Sequence, residues 1–535
     1  MRFIPPAGTP SAGPSQGAAR TGPPSGTQKK TRPIAVQPRG FDLLRLPGLR
    51  RFVRWKYARV VLQLPLLALA LFVLVDGFTG RQLAPRNIAT TTVWLHYRGL
   101  VVLALALFGN AFCAACPLML TRGLSRRLAR LLPRTFAWPK PLKNKILVSV
   151  LLFFFFFSYE YFDLWASPWL TAWLAVGYFG AALAVDTLFP AGTFCRFVCP
   201  LGNFNFAYAT ASPTQITAAD PDVCRHCVHK PCLHGRETHA SPPPEHAKRD
   251  GERAAAFIPL SDITHANGTG SFPGCETNLF VPTITSTMDC TFCFNCVRAC
   301  PYDNVALTVR PPGWEWTRSP WTRRGKAALM LMGVLLTFWG LLNALGMIGP
   351  YYRLAQGIAD TLHTQNEALV LGILFALVTG AGLAFSLGVF RLADALGGKK
   401  SSFRTAFLRW GYVSVALGFG FWGAHYLFHF MTGALSIVPV FQHFFEARGL
   451  TVDPNWRLAQ MVPSAWLFPV GAILVGLYSL VACTVSIRIA LRDFGRQGVL
   501  AMWPMLLYVL MFAALSVWVL AQPMQMRGTI FGPTF

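Results

Sequence analysis

Charged residues are scarce in this chain, and acidic residues are the scarcest of them. Only 13% of the 535 residues are charged, whereas 53% are hydrophobic, and 22 Asp and Glu stand against 48 Lys and Arg. This balance excludes an ordinary soluble protein and indicates a membrane protein. The formal net charge of +26 does not indicate a nucleic-acid partner, because the basic residues gather beside long apolar runs, as the positive-inside rule expects.

Two further patterns are missing from the sequence. It contains no Cys-x-x-Cys-His motif, which argues against covalently attached c-type haem. Residues 1–35 show no basic-then-apolar pattern ahead of a small-residue cleavage site, so they do not resemble a signal peptide. They are rich in Pro, Gly, Ser, Ala and Thr, and with the basic stretch that follows they predict a disordered cytoplasmic tail over residues 1–54.

Long apolar runs make up most of the remaining chain. Each run is close to the length of roughly 20 residues that a helix needs to cross a bilayer. The sequence therefore predicts a mainly α fold, namely a polytopic α-helical membrane protein with about nine spans. The expected spans are 59–78, 99–120, 145–163, 169–190, 327–348, 367–389, 406–431, 465–488 and 500–521.

The loop between the second and third runs sets the expected orientation. Residues 121–145 carry eight Lys and Arg and no acidic residue. Because basic loops are retained on the cytoplasmic side, we expect this loop in the cytoplasm of a bacterium, with the spans in the inner membrane. The N-terminus then shares that side, and the C-terminus lies outside.

A polar, cysteine-bearing block interrupts the apolar runs. It holds eight of the thirteen cysteines, in close spacings typical of metal ligation in a reducing compartment. Its length is that of a domain, so we expect an inserted, cytoplasmic α+β domain that resembles a two-cluster ferredoxin. The expected division is a tail at 1–54, a four-span core at 55–200, the ferredoxin-like domain at 211–310 with an insertion at 233–274, a five-span region at 325–522 and an outer tail at 523–535.

The strongest motif is Cys290-x2-Cys293-x2-Cys296-x3-Cys300-Pro301. Three thiolates at this spacing bind three corners of an iron–sulfur cubane, while the fourth cysteine, followed by Pro, binds the other cluster of a pair. A zinc knuckle is the less favoured alternative, because zinc sites usually pair two separated Cys-x2-Cys units.

A second motif, Cys224-x2-Cys227-x4-Cys232, stands upstream and resembles the first binding motif in iron–sulfur subunits of membrane-linked molybdenum oxidoreductases. The usual fourth Cys-Pro does not follow it, and the next cysteine is Cys275. If the ligands cross over between clusters, Cys300 completes the first set and Cys275 completes the second. This arrangement predicts two 4Fe–4S clusters. Neighbouring histidines are expected to be solvated, since the cysteine sets are complete without them: His226, His229, His234 and His239.

Two more cysteine pairs stand at the ends of apolar runs, in Cys113-x2-Cys116-Pro117 and Cys195-x3-Cys199-Pro200. Spacings of three and four place each pair on one helical face, and both ends are expected on the cytoplasmic side. The four thiols are therefore candidates for a third metal centre beside the ferredoxin-like domain. The alternative is four buried free thiols, since Cys is among the residues most often buried.

Together these motifs resemble the NapH/NosR/CcoG-type membrane polyferredoxins of nitrate, nitrous oxide and cytochrome oxidase systems, over about residues 55–310. The resemblance implies electron transfer between a quinol or a cytoplasmic donor and a periplasmic acceptor, and one branch of that family reduces copper. The chain departs from the family pattern in three ways, one of which is that it shows no obvious periplasmic flavin-binding or immunoglobulin-like domain. The Cys113–Cys116 spacing is one residue short, and the chain adds a five-span C-terminal region.

Histidines provide a candidate site on the outer side. His425 and His429 are four residues apart in the seventh run, so they share one helical face. Imidazoles bind metal ions and haem iron and form hydrogen bonds with quinols, so a metal, haem or quinone site is expected there. Packing within an interfacial aromatic belt, with Trp422, Tyr426 and Phe430, is the alternative.

Three functions remain open from the sequence. The favoured one is an oxidoreductase component that moves electrons through the clusters to an outer acceptor. The second is a redox-sensing transporter or an assembly factor for a metalloenzyme, for which Asp186 is the only acid expected deep within the spans. The third is a scaffold stabilised by zinc.

Overall fold

The computed structural model describes residues 40–133, 136–227, 229–237, 271–317, 327–460 and 462–524, and the chain is mainly helical. The helices are α1 Pro47–Arg54, α2 Ala58–Thr79, α3 Ile88–Leu107 with a π-helical turn at Thr91–His96, α4 Ala111–Ala115, α5 Thr121–Leu131, α6 Ile146–Tyr161, α7 Pro168–Leu188, α8 Pro200–Tyr208, α9 Pro221–Arg225, α10 Pro231–His234, α11 Asn295–Ala299, α12 Ala327–Leu345, α13 Gly349–Thr361, α14 Glu367–Leu396, α15 Phe403–Gly433, α16 Ile437–Glu446, α17 Leu467–Phe494 and α18 Gly498–Ala521. The strands are β1 Thr214–Ala218, β2 Gly235–Glu237, β3 Ser271–Pro273 and β4 Val305–Val309.

Several of these helices are long and apolar enough to cross a membrane. In the described ranges there are six such stretches, or seven if α15 and α16, which meet at 49°, form one bent span. The stretch Trp456–Ala521 counts once in that number although it contains both α17 and α18, and α6 is shorter than the others. The mainly helical fold and the presence of apolar helices long enough to cross a membrane are confirmed, and the number of about nine spans stays a prediction.

The second expected span, 99–120, is wrong in position. The helix α3 runs over Ile88–Leu107, and the chain turns at Gly109, whose φ of 75° favours glycine. The first half of α3 contains threonines, His96 and Arg98, which lower its mean hydropathy to 1.3 and move the apolar maximum of the sequence further along the chain. These polar residues are tolerated because most of α3 is buried inside the helix bundle.

The bundle is built around α15. Its residues from Ala406 to Tyr426 are all buried, and it packs against α3, α12 and α17. The helices α12 and α15 are therefore central, whereas α2 and α18 lie at the periphery, where many of their apolar side chains are exposed.

The described residues between α8 and α12 form a small unit, called the polar unit below. Its outer strands β1 and β4 pair antiparallel with Thr214 opposite Val309, so the two ends of the unit meet and both cysteine motifs lie between them. The strands β2 and β3 pair at the base of the predicted insertion, most of which, 238–270, lies outside the described residues.

Residues 40–54, the described part of the tail predicted over 1–54, are ordered. From residue 40 the chain lies against the polar unit, and Val309 N donates to Phe41 O at 2.8 Å. Arg50 and Arg54 of α1 both form ion pairs with Asp303. Composition alone does not reveal this order, because it depends on a partner surface 250 residues away. Residues 1–39 lie outside the described part of the chain.

Candidate functional site

Four cysteines from both motifs line one cavity in the polar unit. Three of them come from the upstream motif: Cys224 in α9, Cys227 between α9 and α10, and Cys232 in α10. The fourth, Cys300, comes from the downstream motif. The space between them is about 340 Å³, part of it open to solvent, and its remaining walls are mainly apolar.

A second cavity, of about 320 Å³, is lined by the other four cysteines of the unit, Cys275, Cys290, Cys293 and Cys296. The two cavities are neighbours, since Cys275 N donates to Cys232 O at 3.0 Å. The structure thus brings the eight cysteines together in the two groups that an exchange of the fourth ligand requires.

The backbone around the second cavity is held in an uncommon conformation. Asp289, Phe292 and Phe294 have φ values of 65°, 50° and 55°, in the left-handed region that non-glycine residues rarely adopt. Such residues each cost on the order of 1 kcal/mol, and they concentrate at functional sites. Here they turn the chain tightly enough for three cysteines to face one cavity.

Several N–H groups point at the sulfur atoms. Leu279 N lies 3.3 Å from Cys275 Sγ, and Asn304 N lies 3.4 Å from Cys300 Sγ. The side-chain amide of Asn304 also donates to Cys224 Sγ at 3.3 Å. Donors of this kind stabilise ligating thiolates and tune the potential of a cluster.

The donor sets are of the kind that iron–sulfur clusters use. Among the described residues, no three His, Cys, Asp or Glu side chains converge closely enough to hold one metal ion. A cubane does not need that convergence, because each thiolate binds a different iron atom and the cluster fills the space between them. Burial raises the pKa of Cys224 and of Cys232 to about 12, so metal loading at either residue must displace a thiol proton.

The histidines near the upstream motif do not face the cavities. His226, His229 and His234 are exposed, and His226 Nδ1 lies 3.0 Å from Asp222 O. His239 lies outside the described residues.

The four remaining motif cysteines also lie close together, but not on regular helical faces as expected. Cys113 is in α4, and Cys195 is in a π-helical turn, Phe194–Val198. Cys116 and Cys199 each follow such a segment with extended backbone, at ψ 121° and 111°. The Pro after each cysteine explains this geometry, since it disfavours the helical conformation in the residue before it and begins the next helix.

A buried ion network joins these cysteines to the second cavity. The carboxylate of Glu276, next to Cys275, pairs with Arg59 and with Arg122, the latter at 2.5 Å. Arg122 also binds Asp186 at 3.1 Å. Asp186, the acid on which the transport hypothesis depended, is therefore neutralised within a structural network.

Glu276 is expected to be charged at every ordinary pH. Burial alone would raise its pKa, but Arg122 and Arg59 lower it from 4.5 to about 2. A lowered pKa means that the network stabilises the fold fully above pH 4.5 and loses that contribution as the pH falls towards 2.

We predict that Glu276→Gln lowers the free energy of unfolding by about 3–5 kcal/mol at pH 7, because it leaves two buried guanidinium groups with one carboxylate between them. Thermal unfolding in detergent measures the loss. Glu446→Gln is the control: the Glu446 side chain, which pairs with His443, is half exposed, so its loss should cost less than about 1 kcal/mol. If the two variants lost equal free energy of unfolding, the buried ion network around Glu276 would not be the stabilising feature.

His425 and His429 were expected at or near the outer surface, and the structure buries both inside the bundle. Their side chains are 0% and 6% exposed, and their ring centroids are 4.8 Å apart. Among the described residues, neither ring nitrogen of His425 has a hydrogen-bond partner, and Nε2 of His429 has none. Interfacial packing in an aromatic belt does not account for this arrangement, because an unpaired imidazole in an apolar core costs several kcal/mol.

Arg98 is a residue that the sequence interpretation missed. It is buried in α3, and its guanidinium lies 4.4 Å from the ring centroid of Tyr159 and 5.2 Å from that of Tyr426. The signal was available, since an ionisable residue inside an apolar helix is a functional candidate by default. Arg98 lies in the middle of a buried helix because α3 begins at Ile88 and not at residue 99 as predicted.

The fold and these sites define a mainly helical chain with several apolar helices that could span a membrane, and with a polar unit that carries two four-cysteine cavities. Comparison with protein-family models, with curated protein sequences and with solved structures finds no match to this chain.

Proposed function

We propose that the chain is a membrane-bound electron-transfer protein with two 4Fe–4S clusters, one in each four-cysteine cavity. The observation that carries the proposal is the grouping of the eight cysteines, in which each cavity takes three ligands from one segment and the fourth from another. Zinc sites do not need two adjacent sets or space between the ligands, whereas paired clusters need both.

The redox partners in this proposal are those that the family resemblance implies. A cytoplasmic donor or a quinol exchanges electrons with the clusters, and a periplasmic acceptor exchanges them on the other side, in a respiratory or metal-reducing system of the NapH/NosR/CcoG type. When bound, the clusters would supply one-electron carriers, and the chain's own residues hold them, shield them from water and place them beside the helix bundle.

Contacts between the polar unit and the bundle support a route towards the buried histidines. Tyr412 in α15 donates to Glu315 at the end of the polar unit, at 3.1 Å. His425 lies thirteen residues further along the same helix, which corresponds to about 20 Å at 1.5 Å per residue. A closer connection starts at Cys199, which caps α8, because Phe204 in α8 lies 6.1 Å from Tyr426, and Tyr426 lies 6.0 Å from His425, between ring centroids.

Metal analysis tests the two clusters. After anaerobic purification, the eight cysteines of the polar unit should account for about eight iron and eight acid-labile sulfide per chain. Reduction should produce EPR signals of two interacting clusters, because the cavities are adjacent. A colourless protein that contains zinc and no iron would contradict the proposal and favour the zinc scaffold.

The proposed orientation places the polar unit and the basic loop 121–145 in the cytoplasm of a bacterium, and the C-terminus outside. Reporter fusions after Lys145 and after Phe535 should therefore give opposite answers in cells. Matching answers would show that the number of spans between the two fusion points is even and that a helix has been miscounted.

A further inference from the structure

Cys113, Cys116, Cys195 and Cys199 have the composition of a metal site and no assigned role. Each is close enough to interact electrostatically with at least two of the others, although they lie on two segments about 80 residues apart. None forms a disulfide in the structure. Four clustered soft sulfur donors select copper(I), zinc or iron–sulfur clusters among the biological metals.

Hydrogen-bond donors surround these sulfur atoms as they surround those in the two cavities. Gly202 N donates to Cys199 Sγ at 3.2 Å, and the amide of Asn205 lies 3.7 Å from Cys113 Sγ. The guanidinium of Arg122 lies 3.8 Å from Cys195 Sγ. In a bound metal centre, this cation and these two N–H donors would offset part of the cost of burying negatively charged thiolates.

The four thiols lie between the second cavity and the bundle core. Asn110, which precedes α4, donates to Cys290 O at 2.9 Å, so the segment with Cys113 touches the second cysteine set. On the other side, Tyr97 lies 4.7 Å from Phe112 between ring centroids and interacts electrostatically with Cys113 and Cys199. The residue after Tyr97 is Arg98, which lies against the ring of Tyr426 and interacts electrostatically with both buried histidines.

A close approach of the backbone holds this arrangement together. A Cβ on Gly192 would lie 2.0 Å from Glu276 O, so only glycine lets the segment before Cys195 pack against the segment after Cys275. The φ of Gly192, 90°, is also one that favours glycine.

We propose that Cys113, Cys116, Cys195 and Cys199 hold a third iron–sulfur cluster, which exchanges one electron at a time with the cluster in the second cavity. Iron–sulfur is favoured over a single zinc ion for two reasons. The described side chains do not converge closely enough for one ion, and zinc carries no electrons, whereas the position is that of a relay. The inference depends on the proposed function, because the third centre has no electron donor without the other two clusters.

Iron analysis of the full chain tests the third cluster. The wild-type chain should contain about two to four iron atoms more than the eight that the polar unit accounts for, since four thiolates hold either a 2Fe–2S or a 4Fe–4S cluster. The double variant Cys113→Ser, Cys199→Ser should lose that excess, keep about eight iron, and lose one component of the EPR redox titration.

Cys483→Ser is the matched control, because Cys483 is a partly buried thiol in α17 that belongs to none of the cysteine groups. It should retain all iron. Wild-type protein with about eight iron, or with zinc or copper bound at these cysteines, overturns the third cluster while leaving the proposed function intact. Wild-type protein without iron contradicts the proposed function itself, so the two failures are distinguishable.

Discussion

Cys293→Ser should remove the cluster from the second cavity, so that the chain loses about four iron and four sulfide. Cys293 is 8% exposed and lines that cavity with three other cysteines, and a serine hydroxyl is a poor replacement for a soft thiolate ligand. Anaerobic iron and sulfide analysis and the EPR spectrum of the reduced protein measure the loss.

The first cavity should respond more weakly to the same change. It shares no ligand with the second, but Cys300 follows the α11 segment that holds Cys296, and Cys300 N donates to Cys296 O at 3.1 Å. We therefore expect the first cluster to remain with a shifted potential. Cys483→Ser should change neither iron content nor spectrum. If Cys293→Ser retained the iron of both clusters, the assignment of Cys293 as a ligand would be wrong.

The double variant His425→Ala, His429→Ala should lower electron transfer to the outer acceptor to about one hundredth of the wild-type rate or less. The two imidazoles are buried beside Arg98, and among the described residues their nitrogens without a hydrogen-bond partner are available to a metal, haem or quinone. Because the pair lies away from the polar unit along α15, its loss should leave iron content and membrane insertion unchanged.

Steady-state turnover with the native partner or a quinol analogue measures this effect, alongside iron analysis of the same preparation. His443→Ala is the control, because Nδ1 of His443 already has a hydrogen-bond partner in Glu446 at 3.0 Å. Its turnover should match that of the wild type. Unchanged turnover in the double variant would show that electrons serve chemistry on the cytoplasmic side only. Loss of iron in the double variant would instead indicate a structural role for the pair.

The presence of an Arg next to the histidines affects which ligand is favoured. Arg98 places a positive charge close to His425 and His429, and this charge disfavours a metal cation and favours a ligand that gains negative charge on reduction. Of the three ligands predicted from the sequence, a quinone fits this electrostatic environment best.

Local spacing was sufficient to predict the grouping of the polar unit's cysteines. A cluster loop binds its ligands within a few residues, so the pattern from Cys290 to Cys300 carries the geometry within itself. The apolar runs also predicted long apolar helices from local information, because the helix rise per residue fixes how many residues cross a bilayer. Only the fourth ligands, Cys300 for the first set and Cys275 for the second, needed the additional rule that ligands cross over between clusters.

Other features depended on contacts between distant segments. The order of residues 40–54 depends on Asp303 and on the edge of β4, and the position of α3 depends on burial that offsets its polar residues. The sequence placed Cys113 and Cys195 near the same membrane surface, but their close approach depends on the contact of Gly192 with Glu276. The sequence also placed His425 and His429 on one helical face. Their complete burial beside Arg98 follows from the packing of α3 and other helices around α15. Burial could not be predicted, because it is a property of the neighbours of a helix and not of its own residues.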